Sequence, residues 1–243
     1  MNDIHLIRRS QSPAVPRLER GRLHEIHCAQ EDWAAATAFA LALRGLPQAG
    51  ALFLIRLSGR QRQPPALYGE GLVGLGVATG EVVLVHAASE IELLRAGLDA
   101  VRCPGIAAVV LETRGNLPGY DLTASRRLAL AAERSRVAAV VLRGEARPRS
   151  SAAHTRWEVR SAPSLPLPGA APGWPAIEAH LLRRRGGPAG QRWRLEWDSD
   201  DGTFRETLLT HGTDSPALPG AVVSLAGLRA GAAGGGASGI RAA

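Results

Sequence analysis

The chain has 243 residues and a formal net charge of +7, and its 29 basic residues are all arginine. That length fits one domain with appendages. No apolar run reaches the roughly 18 residues of a membrane span, and the first residues lack the charged-then-apolar order of a secretory leader, so a cytoplasmic protein without membrane contact is expected. Cys28 and Cys103 are too few for a disulfide framework and read as packing thiols.

Residues 1–16 mix Ser, Gln, Pro and Arg with no apolar period and read as a disordered tail, so the main domain is expected over residues 17–215. Residues 22–28 read as a strand. Residues 33–44 are alanine-rich and read as a helix that ends before Gly45 and Pro47. The junction between them, residues 28–35, is where a phosphate-binding loop of the pattern GxxxxGK[ST] would lie. Such a loop closes glycine amides around phosphate oxygens and adds a lysine to neutralise them. This junction offers neither: Glu31 and Asp32 would repel a triphosphate, and the indole of Trp33 would fill the space that the second glycine leaves open. The lack of lysine across the whole chain follows its Arg, Ala and Gly bias, but that bias would have favoured keeping the glycines.

Residues 51–57 are continuously apolar, as in a strand covered on both faces. A helix-like piece at 68–75 follows Pro64 and Pro65. A short strand at 81–86 precedes a helix at 88–101, where Ile91, Leu94 and Leu98 fall at helical spacing. Residues 106–111 repeat the buried-strand pattern and end in Glu112. Residues 122–135 form an amphipathic helix after Asp121, a suitable N-cap, and 137–142 give a further buried strand. Strands alternating with helices predict an α/β fold, a mostly parallel twisted sheet with helices on both faces. The segments at 156–161, 193–198 and 203–209 alternate more like antiparallel edge strands, with Asp198 to Gly202 as a turn. Residues 163–175 read as a Pro/Gly-rich surface loop, and 216–243 as a disordered Gly/Ala-rich tail.

Candidate chemistry is sparse. Glu112 stands at the carboxyl end of a buried strand, where α/β sheets present groups to ligands, although a carboxylate solvated there or paired with Arg114 is the plainer reading. His24, His27 and Cys28 are close in sequence, but residues 24 and 27 face opposite sides of a strand, so no zinc site is expected. No nucleophilic triad or paired-carboxylate motif is recognisable. From residue 126 to 160 there are nine arginines against three glutamates, a balance that suits a polyanion and equally an ordinary solvated face. Trp157, Trp193 and Trp197 are interleaved with arginines and could stack on bases, but packing against a helix is the commoner role.

Several runs resemble the ImuA family of bacterial inducible-mutagenesis proteins. They are Gly21 to His27, Leu67 to Leu72, Arg102 to Gly105 before Val109 to Glu112, Asp121 to Leu128 with Ala131 to Ser135, Thr155 to Trp157, and Leu182 to Gly187 leading into Trp193. The stretch from Asp121 to Ser135 is the most specific. The family is similar in turn to RecA and to the division inhibitor SulA, so the resemblance implies a RecA-like fold with a degenerate P-loop. On that alignment Cys28 and Trp33 stand at the two loop glycines, and Ala34 and Ala35 replace the lysine and hydroxyl residue. Ser58 falls near the catalytic glutamate, and Glu112 is a vestigial substitute for the magnesium-holding aspartate. Residues 143–153 and 115–120 occupy the positions of the two DNA loops.

The resemblance implies a non-catalytic adaptor in SOS-induced translesion synthesis, with no cofactor and no metal. Its partners would be an ImuB-like Y-family polymerase homologue, an error-prone DnaE-type polymerase reached indirectly, and RecA and single-stranded DNA as further candidates. Candidate partner-binding or nucleic-acid-binding residues are Arg126, Arg127, Arg143, Arg147, Arg149 and Arg156. The rival readings are a SulA-like cell-division inhibitor and a divergent ATPase.

Overall fold

The computed structural model describes residues 15–42, 50–58 and 65–207. Its nine strands form one sheet in the order β3-β2-β4-β5-β1-β6-β7-β8-β9. The strands β1 (Leu23–Cys28), β2 (Leu52–Leu57), β3 (Val82–Ala87), β4 (Ala108–Arg114) and β5 (Ala138–Gly144) all run parallel. β6 (Thr155–Ala162) continues parallel along the free side of β1, and β7 (Ala176–Arg184), β8 (Arg192–Asp198) and β9 (Thr203–Glu206) extend it as an antiparallel meander.

Four helices cover the parallel part: α1 (Trp33–Ala42), α2 (Gly69–Gly74), α3 (Glu90–Arg102) and α4 (Leu122–Ser135). The period of two along each strand sorts the core into two layers. Ile26, Leu54, Val110 and Val140 pack with α1 through Ala36, Phe39 and Ala40, and Leu72 of α2 joins the same layer. Leu23, Ile55, Val109, Leu111, Ala139 and Val141 pack on the other face with Leu93 and Val101 of α3 and Leu128 and Ala132 of α4. β1 is buried along its full length between β5 and β6.

Helix starts follow side-chain chemistry. The Ser89 hydroxyl accepts from the Glu92 amide, and the Asp121 carboxylate from the Ala124 amide at 2.7 Å. At the end of α4, Arg136 takes the left-handed conformation and its amide closes on the Ala132 carbonyl.

The expected mostly parallel sheet with antiparallel edge strands is present, with three corrections. β4 runs on through Glu112 to Arg114 because its pairing with β5 continues to Gly144. β6 is a hybrid, parallel to β1 and antiparallel to β7. β7 is an additional strand: its buried residues, Ile177, Ala179 and Leu181, are separated by Glu178 and His180, and the segment directly follows the Pro-rich loop, which masks the alternation. Of the expected tail at 1–16, Val15 and Pro16 are described, with Pro16 buried and Val15 packed against the core; residues 1–14 and the expected tail at 216–243 lie outside the described residues, as do the helix end at 43–44, the start signal at Pro64 and the strand end at 208–209. No helix among the described residues is long and apolar enough to cross a membrane.

Gly97 sets how closely α3 approaches the sheet: a Cβ there would lie 2.5 Å from Cδ2 of Leu111, which is fully buried. Gly97→Ala should therefore destabilise the fold by about 1–3 kcal/mol through overpacking, despite the better helix propensity of alanine. Urea unfolding of the two proteins measures this, and a more stable variant would show that α3 can move away.

Candidate functional site

The carboxyl ends of β1, β2, β4 and β5 meet beside the start of α1, the edge where open α/β sheets place ligands. The turn from β1 into α1 is closed on itself. The Asp32 amide donates to the Ala29 carbonyl and the Trp33 amide to the Gln30 carbonyl, both at 3.3 Å, so neither is free to cradle a phosphate. The Asp32 carboxylate is buried and accepts from the Ser161 amide at 2.7 Å, which ties the turn to β6. The Trp33 ring lies on Gly144, the last residue of β5: a Cβ at Gly144 would sit 2.2 Å from Cζ3 of the indole. Glu31 and Ala34 are exposed, whereas Ala35 is buried in the core. Burial pushes the Cys28 thiol up to about 12, with the negative charges of Asp32, Glu145 and Glu31 adding to it, so the sulfur is no nucleophile at neutral pH.

Glu112 is fully buried, not solvated, and its partner is Arg56 on the neighbouring strand; Arg114 instead pairs with Glu145 at 2.5 Å. The register sets Arg56 directly beside Glu112. The Arg56 Nε donates to Glu112 Oε2 at 2.8 Å, and Nη2 donates to the same oxygen. Nη1 donates to the Pro65 carbonyl at 3.3 Å. Glu112 Oε1 and the indole N–H of Trp33 are both buried without a hydrogen-bond partner, yet they are near enough for the indole to favour the charged carboxylate. Burial raises the Glu112 pKa above the ordinary carboxylate value, and Arg56 only partly offsets this.

These residues do not fit a magnesium nucleotide. The ring of Trp33 lies where phosphates would be held, and the acid that would face magnesium is already held by a guanidinium. Sequence reasoning missed Arg56. The signal was there, because an arginine inside the apolar run LFLIRL must bring a buried partner with it.

On the other face of β1 lies a second buried polar group. Glu25 accepts from the Tyr120 hydroxyl at 2.8 Å and from Arg156 Nε at 2.6 Å. Arg156 also donates to Ser151 Oγ at 3.1 Å and to the Arg149 carbonyl. Arg143 is buried with its guanidinium 5.4 Å from the centre of the Tyr120 ring. Burial alone would raise the Glu25 pKa, but His27, Ser151 and Arg156 outweigh it and hold the carboxyl at about 2. Arg143 and Arg156, expected as partner- or nucleic-acid-binding residues, are instead interior, committed to Tyr120 and Glu25. Their burial pins residues 143–153 to the sheet end, and Tyr120 pins the loop before α4.

Arg126, Arg127, Arg147 and Arg149 are exposed, with Arg126 and Arg127 on α4 and the other two on the loop after β5, so the structure divides the predicted set. Trp157, Trp193 and Trp197 are buried. Phe39 of α1 and Trp157 are 5.2 Å apart, Trp157 and Trp193 5.5 Å, and Trp197 packs on Phe204. No base could stack on them. His24 and His27 point to opposite faces as expected. His24 Nε2–H donates to the Glu19 carbonyl at 2.9 Å, and Nδ1 accepts from the Thr155 hydroxyl at 2.7 Å, whose oxygen in turn accepts from the Trp157 indole. His27 Nδ1 lies 3.0 Å from the Ala146 carbonyl. Among the described residues no group of His, Cys, Asp and Glu could hold a metal ion.

A first strand set between β5 and β6, helices on both faces and an antiparallel extension define a mostly parallel α/β fold, here with a sealed strand-to-helix junction. The chain is similar in sequence to Protein ImuA of Caulobacter vibrioides, from strains NA1000 / CB15N and ATCC 19089 / CIP 103742 / CB 15. It is 38% identical to each over 143 residues, covering 54% of this chain and 56% of the relative. The match spans about half the length of those curated relatives. No protein-family model matches the chain. Among solved structures, the RadB recombinase is similar with a TM-score of 0.49 and 14% identity, covering 75% of this chain and 90% of that one.

Two stability measurements check the site. Arg56→Met should cost about 3–5 kcal/mol by stranding the Glu112 charge, whereas Arg56→Met with Glu112→Leu should recover most of it. Urea unfolding of the three variants gives the cycle, and additive losses would contradict the pairing. The second concerns pH. Burial lowers the His24 pKa to about 4 from 6.5, so the unfolded chain binds a proton that the folded one refuses, and stability falls as pH drops from about 6.5 to 4. Glu25, depressed to about 2 from 4.5, stabilises fully above pH 4.5 and loses that contribution as pH falls toward 2. Each pKa unit is about 1.4 kcal/mol, so unfolding free energy should drop by a few kcal/mol between pH 7 and 4. His24→Gln should flatten the upper part of the curve.

Proposed function

We propose that this chain is a non-catalytic RecA-like adaptor in SOS-induced translesion DNA synthesis. The observation that carries the reading is the ring of Trp33 seated on Gly144, with Glu112 held by Arg56 beside it. A RecA-type engine needs phosphates cradled by free amides and a magnesium ion facing an acid. On this reading neither provision remains, and the scaffold serves to join macromolecules. The similarity to Protein ImuA supports a place in the same mutagenesis system.

The partners proposed are an ImuB-like Y-family polymerase homologue, bound directly, and through it an error-prone DnaE-type polymerase in the cytoplasm. RecA is a further candidate. Of the predicted arginines, single-stranded DNA could meet the exposed Arg126, Arg127, Arg147 and Arg149, and it would do so through phosphates, since Trp157, Trp193 and Trp197 are interior.

Titration with a fluorescent ATP analogue, with and without magnesium, should give no saturable signal, and the purified chain should retain an ImuB-like protein on affinity resin at micromolar concentration. Magnesium-dependent nucleotide binding that is lost in Glu112→Gln, a variant that keeps a hydrogen bond to Arg56, would overturn the non-catalytic reading. Failure to retain the partner would overturn the adaptor reading.

A further inference from the structure

Beside α4 lies a groove of about 740 Å³, lined by no residue of the sealed junction. One wall is the outer face of α4. Leu122, Arg126 and Leu130 recur at intervals of four, so they stack along one side of the helix, away from the Leu128 and Ala132 face that packs on the sheet. The other wall is the end of β7 and the turn after it, with Arg183, Arg184 and Arg185, and Arg22 and Glu133 also line the groove.

Two features make this more than a charged surface. First, its cations differ in commitment. Arg183 is anchored by the carbonyls of Ser151 and Ala153, Arg184 reaches Glu19 at 3.1 Å, and Arg22 reaches Glu133 at 3.4 Å. Arg126 and Arg185 are exposed, and their guanidinium groups have no ion pair among the described residues. Second, the arginines stand among apolar side chains left open by the described residues: Leu122 is 53% exposed and Leu130 48%.

We propose that this groove docks an acidic, leucine-bearing segment of a partner protein, with carboxylates on Arg126 and Arg185 and apolar side chains on Leu122 and Leu130. Charge complementarity selects an anion, and the leucines select a peptide over a nucleic acid. Tight single-strand binding adds aromatic faces on which bases stack, and no Trp, Tyr or Phe lines this groove. Phosphates would leave both leucines wet, whereas an amphipathic peptide covers them and pairs the guanidiniums in one step. The chain does not carry this ligand itself, since residues 1–14 and 208–243 contain one acidic residue each, Asp3 and Asp214. The proposal gives the adaptor reading a surface and rests on it for the partner's identity.

The test uses the full chain and three fluorescein-labelled probes: a peptide of Asp and Glu with leucines at helical spacing, the same peptide with serine for leucine, and oligo(dT). Fluorescence anisotropy should show the leucine peptide binding saturably and about tenfold tighter than the serine peptide. Arg126→Glu with Arg185→Glu should weaken it by at least about tenfold, and Leu122→Ser with Leu130→Ser should reduce it to the level of the serine peptide. Because all four side chains are exposed, the melting temperature should not change, and a variant that melts early is replaced by Arg126→Gln with Arg185→Gln. The proposal is overturned if the leucine peptide does not saturate, if the serine peptide binds equally well, or if oligo(dT) binds more tightly and is the probe lost on charge reversal. Retention of an ImuB-like protein by the charge-reversed chain would remove the groove while leaving the adaptor reading intact. Peptide binding by a chain that retains no such partner would do the opposite.

Discussion

Two buried carboxylates within the parallel sheet, Glu25 and Glu112, are each locked to one arginine, and the strand register depends on keeping those charges paired. An ion pair in a dry interior stabilises little beyond its own desolvation cost, but losing one partner is severe. Strand register therefore becomes fixed: Arg56 must lie beside Glu112, and Arg156 must reach Glu25 from the strand on the far side of β1. The two pairs face opposite helix layers, so a slip of any central strand by one residue would expose the wrong side chains and strand a charge at once.

The same pairs decide what the carboxyl edge of the sheet offers. In a nucleotide-using α/β protein the edge is open, its amides unpaired and its acids solvated toward a metal. Here the amides of Asp32 and Trp33 close their own turn, the indole covers Gly144, and a guanidinium occupies the acid. The second polar group, around Glu25, Tyr120, Arg143 and Arg156, spends on internal anchoring two arginines that would otherwise enlarge the basic surface. Of the predicted set, the basic character left on the surface lies on α4 and the loop after β5, through Arg126, Arg127, Arg147 and Arg149. This distribution is what an adaptor reading draws on: rigid interior electrostatics and a few uncommitted cations beside exposed leucines.

Much of this architecture was legible in the residues themselves. Continuous apolar runs marked the parallel strands, Asp121 marked the start of α4, and Trp33 at the second glycine position of a would-be phosphate loop marked that junction as altered. These signals are local, arising from burial on both faces, from a cap and from side-chain volume. β7 was not legible, because its alternation is diluted by alanine and by half-buried polar residues that only a neighbouring strand makes tolerable. Arg143 and Arg156 read as surface charge, since residue type does not reveal which side of a sheet a guanidinium is on; Arg56, inside an apolar run, signalled a buried partner without saying which.

By itself, then, the sequence determined the fold class, the order of its parallel elements and the chemical unsuitability of the strand-to-helix junction for phosphate. Each of these depends on neighbours a few residues apart along the chain. The tertiary structure alone decided which arginines are interior and which remain free, where Glu112 finds its charge partner, and that α4 and the end of β7 together make a groove. Those outcomes depend on groups from about 50 to 130 positions apart being brought within hydrogen-bond distance, where the cost of burying a charge selects its partner from everything that folding has placed nearby.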